Sequence, residues 1–332
     1  MPFQPSQSSV HVNRPLTNVS LAMLQDPAAF AVLRAFRNIG VDKQSDVYFK
    51  YDRSYWNRSE MKLRAPATEA PTGGYTVDAS NTYNCRVYSL GKDIPDEVRA
   101  NADAPLNLDS ETTRWLTGQA LIFKEKQFAT SFLTTSVWWK DKTGVAAAPT
   151  ADQFVKWSDL ANSDPIKDVR GWKREILANT GQEARVLMLG RDVYDTLLDH
   201  PDIIDRIKYG QTQPGPAIVT SQTLAAVFDL DDIVVSSAIE NTANEGATAA
   251  HSFIVGAGKG LLLHRPPSPG LMTPAPAYHW SWRGLDGAYN NLGVAISRYR
   301  IDIRRCDRVE INGAWDMTLV SNELATYLTA IL

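Results

Sequence analysis

The chain is 332 residues long, 44% hydrophobic and 21% charged, with 34 basic and 37 acidic side chains and a formal net charge of -3. That composition supports a sizeable core in one large domain or two ordinary ones and excludes wholesale disorder. The near-neutral balance argues against a dedicated nucleic-acid binder, and the two cysteines, Cys85 and Cys306, lack CxxC spacing and exclude a disulfide framework.

The N-terminus lacks the basic and apolar regions of a signal peptide, and no stretch approaches the roughly 18 apolar residues of a spanning helix. A cytoplasmic site of synthesis is expected, which makes the sequons at Asn18 and Asn57 incidental.

Residues 1–20 carry Pro2, Pro5 and Pro15 among polar side chains and read as an arm, too poor in apolar surface to offset its ordering entropy. Residues 21–38 give a short helical pattern through Phe30, Leu33 and Phe36, broken at Asp26-Pro27. Two strand-like runs, Val47–Tyr51 and Tyr83–Tyr88, flank a turn-rich segment, Arg64–Tyr75, and suggest a long hairpin with a loose tip. A lone two-stranded hairpin is marginal in water, so it should pack on something, such as a neighbouring subunit.

A long helix is expected over 109–134, capped by Asp109 or Ser110 with Glu111 in its first turn. Leu116, Ala120 and Phe123 form one stripe, with Trp115, Ile122 and Ala129 beside it. At a rise of 1.5 Å per residue it would be about 38 Å long, a spine and not a connector. Ala146–Thr150 reads as a boundary.

Beyond it helices and strands alternate. Asp164 caps a helix with Pro165 at its first position and Ile166, Val169, Trp172 and Ile176 on one face. Arg185–Leu189 is a buried-type strand, and helices at 191–198 and 202–208 are split by His200-Pro201. Thr220 caps a helix bearing Leu224, Ala225 and Phe228, and Ile233–Val235 is a strand. Ser252–Val255 and Gly260–His264 resemble a hairpin, and prolines between 266 and 276 mark a second boundary. In Ala295–Ile303 the side chains of Tyr299, Ile301 and Ile303 alternate with Arg298, Arg300, Asp302 and Arg304. The class is α+β, two lobes with extended appendages.

Catalytic and ligand-binding signatures fail on spacing. The five histidines never reach HxxH or HExxH, and Gly256–Gly260 lacks the first glycine and the final Ser or Thr of a phosphate loop. Asp229, Asp231 and Asp232 do not fit a calcium loop and read as a solvated turn. No GxSxG elbow is present, and Cys85 reads as a small buried side chain. The arginines of 298–308 could touch phosphates, yet their alternation fits a half-buried strand with a solvated face, paired to Asp302 and Asp307. Neither a cofactor nor an enzymatic activity is expected.

Several stretches resemble the major capsid protein of tailed bacteriophages with the Hong Kong 97-type fold. They are Gly91–Leu106 leading into the long helix, Asp42–Tyr51, Arg64–Glu69, Trp157–Leu160 with Ser163–Pro165, and Val193–Pro201 with Asp205–Tyr209. The resemblance runs from about residue 16 to the C-terminus and keeps the family's order. It implies an N-terminal arm (1–46), an extended loop (47–90), a peripheral domain with the spine helix (91–149), an axial domain (150–270) and a return to the peripheral domain (271–332).

The resemblance also implies a virion protein, assembled in the host cytoplasm into hexamers and pentamers of an icosahedral shell around double-stranded DNA. The partners it implies are itself, a separate scaffolding protein, a portal protein and decoration proteins, with no sequence-specific DNA contact and no membrane. Some relatives join Lys and Asn side chains between subunits; Lys62 and Asn322 meet no sequence rule for such a pair. An encapsulin-type nanocompartment enclosing a cargo enzyme is the alternative.

Inter-subunit contacts are expected from Arg53, Trp56, Arg58, Lys62 and Arg64 in the extended loop, facing acidic groups such as Asp93, Asp96 and Glu97 of a neighbour.

Overall fold

The computed structural model describes residues 25–102, 107–210, 219–270, 272–285 and 293–332; the expected arm at 1–20 lies outside them. Asp26 accepts from the Ala28 amide and opens a single 3-10 turn. Helix α1 (Val32–Ala35) follows, then strands β1 (Arg37–Val41) and β2 (Ser45–Tyr51) and helix α2 (Arg53–Trp56). Next come β3 (Val77–Asn84), β4 (Arg86–Pro95) and the helices α3 (Asp96–Ala100) and α4 (Leu108–Phe132).

The second half contains β5 (Lys140–Val145), β6 (Gln153–Val155), α5 (Pro165–Thr180), β7 (Val186–Gly190), α6 (Arg191–Leu198), α7 (Pro201–Gly210) and α8 (Ser221–Phe228). It closes with β8 (Asp232–Ser236), β9 (Ile239–Asn241), β10 (His251–Phe253), β11 (Gly260–Leu263), β12 (Ala277–Trp282), β13 (Val294–Ile301), β14 (Cys306–Leu319) and β15 (Ala325–Thr329).

Two sheets carry the architecture. The first runs β1-β12-β14-β13, with β4 along the other edge of β14. The second runs β6-β5-β15-β11-β7-β8. Its strands β11 and β7 are apolar throughout and wholly buried, as strands covered on both faces must be. The side-chain period of two then divides them. Leu187 and Leu189 of β7 face a core with Ile166, Val169, Trp172 and Ile176 of α5, Leu197 of α6 and Phe228 of α8. Val186 and Met188 face the opposite core, with Phe128 and Phe132 of α4 and Phe36.

Helix α4 joins the sheets. Its N-terminal half sets Leu116 against Ile94, Val309, Ile311 and Trp315 of the first sheet. Its C-terminal half sets Phe128 and Phe132 on the second. One rigid helix, about 38 Å long at its 25 residues, therefore fixes the two layers to each other.

Local signals behave as physics requires at most helix ends. Asp164 accepts from the Lys167 amide ahead of Pro165, and Gly181 ends α5 in the left-handed region at φ 72. Thr220 and Thr223 form a reciprocal capping box on α8.

Other local expectations are corrected. The cap of the long helix is Asn107, whose side chain accepts from the Ser110 amide, in place of Asp109 or Ser110. The helical pattern of 21–38 stops at Ala35, because Phe36 turns extended to meet Phe128 and Phe132 edge-on at 5.3 and 4.8 Å.

The run from 252 to 264 is not a hairpin: β10 pairs with β9, while β11 is inserted between β15 and β7. Gly260–Leu263 is wholly buried, and only a strand with neighbours on both edges satisfies its backbone there. The second strand of the long hairpin divides at buried Cys85. β3 pairs with β2, whereas β4 pairs with β14 over Arg86–Pro95.

Candidate functional site: assembly surfaces

The ribbon of β2 and β3 carries a loop at 52–76 that is exposed almost throughout. At its base Asp52 caps α2 by accepting from the Ser54 amide. Tyr51, Trp56 and Tyr75 pack on one another with ring centroids 5.3–6.0 Å apart. Arg53 ties the base to its own chain through the Asn179 carbonyl at 2.6 Å and Glu323 at 2.6 Å. Beyond that anchor Met61 and Leu63 are 94% and 103% exposed, so the tip buries nothing within its own chain. Arg58, Lys62 and Arg64 lie on the same exposed stretch, with no ion pair among the described residues.

The acidic candidates separate. Asp93 is bidentate to Arg308 at 2.5 and 2.8 Å, with Arg304 at 3.3 Å. Asp96 is bidentate to Arg300 at 2.5 and 2.6 Å. Both carboxyls are held below the ordinary carboxylate value by those guanidinium hydrogen bonds.

Asp307 binds Arg298 and Arg99, which bring it to about 2, and Asp109 binds the same two arginines at 3.1 and 2.9 Å. Arg298, Arg300, Arg304 and Arg308 of the arginine-rich run are therefore matched within the chain, at the end of the first sheet. Glu97, by contrast, is exposed and without an ion pair among the described residues. The structure thus engages Arg53, Asp93 and Asp96 internally, sets Trp56 in the aromatic trio, and leaves Arg58, Lys62, Arg64 and Glu97 facing out.

Two buried polar groups on α4 were not marked by the sequence. Glu125 accepts from the amides of Ala31 and Val32 at 3.1 and 2.9 Å and from Ser236 Oγ at 2.8 Å. Burial pushes its carboxyl up, and these three donors oppose the shift. Lys124 lies 3.3 Å from His279 Nε2 and 4.1 Å from the centroid of the Trp315 ring. Burial lowers Lys124 to about 7 and holds His279 well below its ordinary value. The available signal was spacing: Leu121, Phe128 and Phe132 share a helix face with both residues.

One pairing has the residue types of a nucleophile and its base. Ser163 Oγ is 3.0 Å from His200 Nε2, and Asp202 is 4.0 Å from Nδ1. The polarity is reversed, however, because the Ser163 hydroxyl donates to the Asp159 carbonyl at 2.7 Å. With that hydroxyl hydrogen on the Asp159 carbonyl, the tautomer of His200 protonated at Nε2 donates to Oγ, the opposite sense to a serine activated by its histidine. Burial also lowers the His200 value.

Cys85 and Cys306 are buried free thiols, and burial pushes Cys85 up to about 12. Among the described residues no group of acidic, His or Cys side chains is placed to hold a metal ion, and no helix is long and apolar enough to cross a membrane.

An extended loop, a spine helix and two sheets joined by that helix define the fold class: it is the Hong Kong 97-like fold of phage capsids and encapsulins. A phage-related protein of Bordetella bronchiseptica superposes with a TM-score of 0.64 at 18% identity, covering 94% of this chain and 98% of the other. The capsid of cyanophage P-SCSP1u gives 0.59 at 12% identity over 94% and 90%. An encapsulin complex from Synechococcus elongatus gives 0.56 at 11% identity over 96% and 93%.

The family model described as phage major capsid protein E matches residues 112–276 of this chain. A major capsid protein of Burkholderia phage BcepMu is 33% identical over 79 residues, 24% of this chain and 24% of the relative's own length.

Proposed function

We propose that this chain is a phage major capsid protein, a structural subunit whose copies form the hexamers and pentamers of an icosahedral shell around double-stranded DNA. The observation that carries the reading is the family match over 112–276, which runs from α4 through five of the six strands of the second sheet, all but β15, and ends just before β12. The fold is shared with encapsulins, so it is the family match that favours a phage head over a cargo compartment.

In this reading α4 is the spine. The first sheet forms the peripheral part, and the second sheet with α5–α8 forms the axial part. The exposed loop at 52–76 reaches a neighbour; of the arm expected over 1–46, residues 37–41 form β1 within the first sheet. Heterologous contacts of this kind close into rings when the rotation closes. Scaffolding, portal and decoration proteins are the further partners that the resemblance implies, with assembly in the host cytoplasm.

Co-expression with a scaffolding protein tests the reading. Megadalton particles containing hexamers and pentamers are the expected product in sedimentation and electron microscopy. A persistent monomer of 36.7 kDa would overturn it.

A further inference from the structure

The turn between β13 and β14 is unusually well held for an exposed tip. Arg300 on one side binds Asp96 and Asp302, and Arg304 at the turn itself binds Asp93. The Arg305 carbonyl accepts from the Asp96 amide at 3.1 Å, with Arg305 in the left-handed region at φ 48. At the apex of this fixed turn stands Ile303, 99% exposed. A rigid turn that presents a whole isoleucine to water forgoes the burial of that side chain unless something covers it.

Beside the turn, where α3 begins, lies an open cleft of about 450 Å³ lined by Glu97, Val98, Asn101, Ala102 and Leu108. Val98 is 51% exposed, so the cleft too has an uncovered apolar wall. The charges at the two features are complementary. Around them Asp93, Asp96, Asp109 and Asp307 are matched by Arg99, Arg298, Arg300, Arg304 and Arg308. Arg305 beside the apex and Glu97 in the cleft have no ion-pair partner among the described residues.

We infer that the Ile303 turn of one copy seats in the Val98–Leu108 cleft of a second copy, with Arg305 of the first facing Glu97 of the second. The inference rests on the shell reading and names one of its contacts. Apex and cleft lie side by side on each subunit, joined where the Asp96 amide meets the Arg305 carbonyl, so the two features form one patch that a second copy can meet. The partner is a second copy because both complementary features belong to this one chain.

The test uses the full chain under conditions in which the wild type assembles. I303D and V98D should each cut particle yield at least about tenfold, as loss of a central apolar anchor does, without moving the subunit's melting temperature. R305E should do the same, and the double variant E97R/R305E should restore particles. In I303C/V98C particles, oxidation should give covalent oligomers on a non-reducing gel that dilute, unassembled protein does not give.

Wild-type yield from both I303D and V98D, or oxidised I303C/V98C particles that run wholly as monomer, would overturn the contact while leaving the shell intact. A wild type that never assembles removes the shell reading, and this inference with it.

Discussion

Ser236 at the end of β8 donates a 2.8 Å hydrogen bond to Glu125 on the spine helix, joining the second sheet to α4 through a buried carboxylate. The same carboxylate accepts from the Ala31 and Val32 amides, so the start of α1 meets the junction there as well. Removing the acceptor strands three buried donors. E125A should lower the unfolding free energy by about 3 kcal/mol or more, and S236A by about 1 kcal/mol. Urea melts measure both. A change under about 0.5 kcal/mol for E125A would mean that water or another acceptor replaces the carboxylate.

Lys124 gives the junction a pH dependence. Between about 7 and the ordinary lysine value of 10.5 the unfolded chain binds a proton that the folded one does not, so stability should rise with pH across that window. His279 adds a second slope. Its folded value lies well below 6.5, so acidification below 6.5 protonates the unfolded state first and destabilises the fold. K124M should flatten the alkaline slope and weaken the acid one without abolishing it, because burial is the larger cause of the His279 shift and the Lys124 charge the smaller. Unchanged slopes in both variants K124M and H279Q would remove the assignment.

The arginine–aspartate cluster should fail in strong acid. Asp307 is depressed to about 2 by Arg298 and Arg99, so its stabilising contribution is present above 3.8 and lost as pH falls towards 2. D307N should abolish that part of the acid transition and make the first sheet less sensitive to added salt. Hydrogen exchange of β13 and β14 amides across this range reads the effect; identical profiles for D307N and wild type contradict it.

Replacing 57–74 by a short Gly-Ser linker keeps the Arg53–Glu323 anchor and removes only exposed residues. The subunit should melt within a few degrees of wild type yet no longer close into shells. A fall of many degrees would show instead that the loop supports its own subunit, and intact shells would show that it has no part in assembly.

Legibility in the sequence followed the range of the interaction. The ends of α5 and the start of α8 were readable because Asp164, Pro165 and Thr220 act on amides only a few residues away. The buried strand at 185–190 was readable because a continuous apolar run needs cover on both faces. The false hairpin at 252–264 shows the opposite case. Its two runs are close in sequence, but β11 takes its partners from 186–189 and 325–328. For the candidate contacts, exposure of the loop tip was readable from its turn-rich composition. The capture of Asp93 and Asp96 by Arg308 and Arg300 was not, because those partners lie more than 200 residues away.

The sequence by itself determined the α+β class, the length of the spine helix, the exposed loop and the lack of spacing for local catalytic motifs, since each depends on periodicity or neighbouring residues. Only the tertiary structure decided which face of the spine is buried. Periodicity favoured Trp115 and Phe123, yet both remain substantially exposed, while Lys124 and Glu125 turn inward. The physical reason is that a buried charge or polar group is tolerated only where partners meet it. Those partners, Ser236 and the Ala31 and Val32 amides for Glu125, and His279 and the Trp315 ring for Lys124, come from distant segments that folding alone brings together.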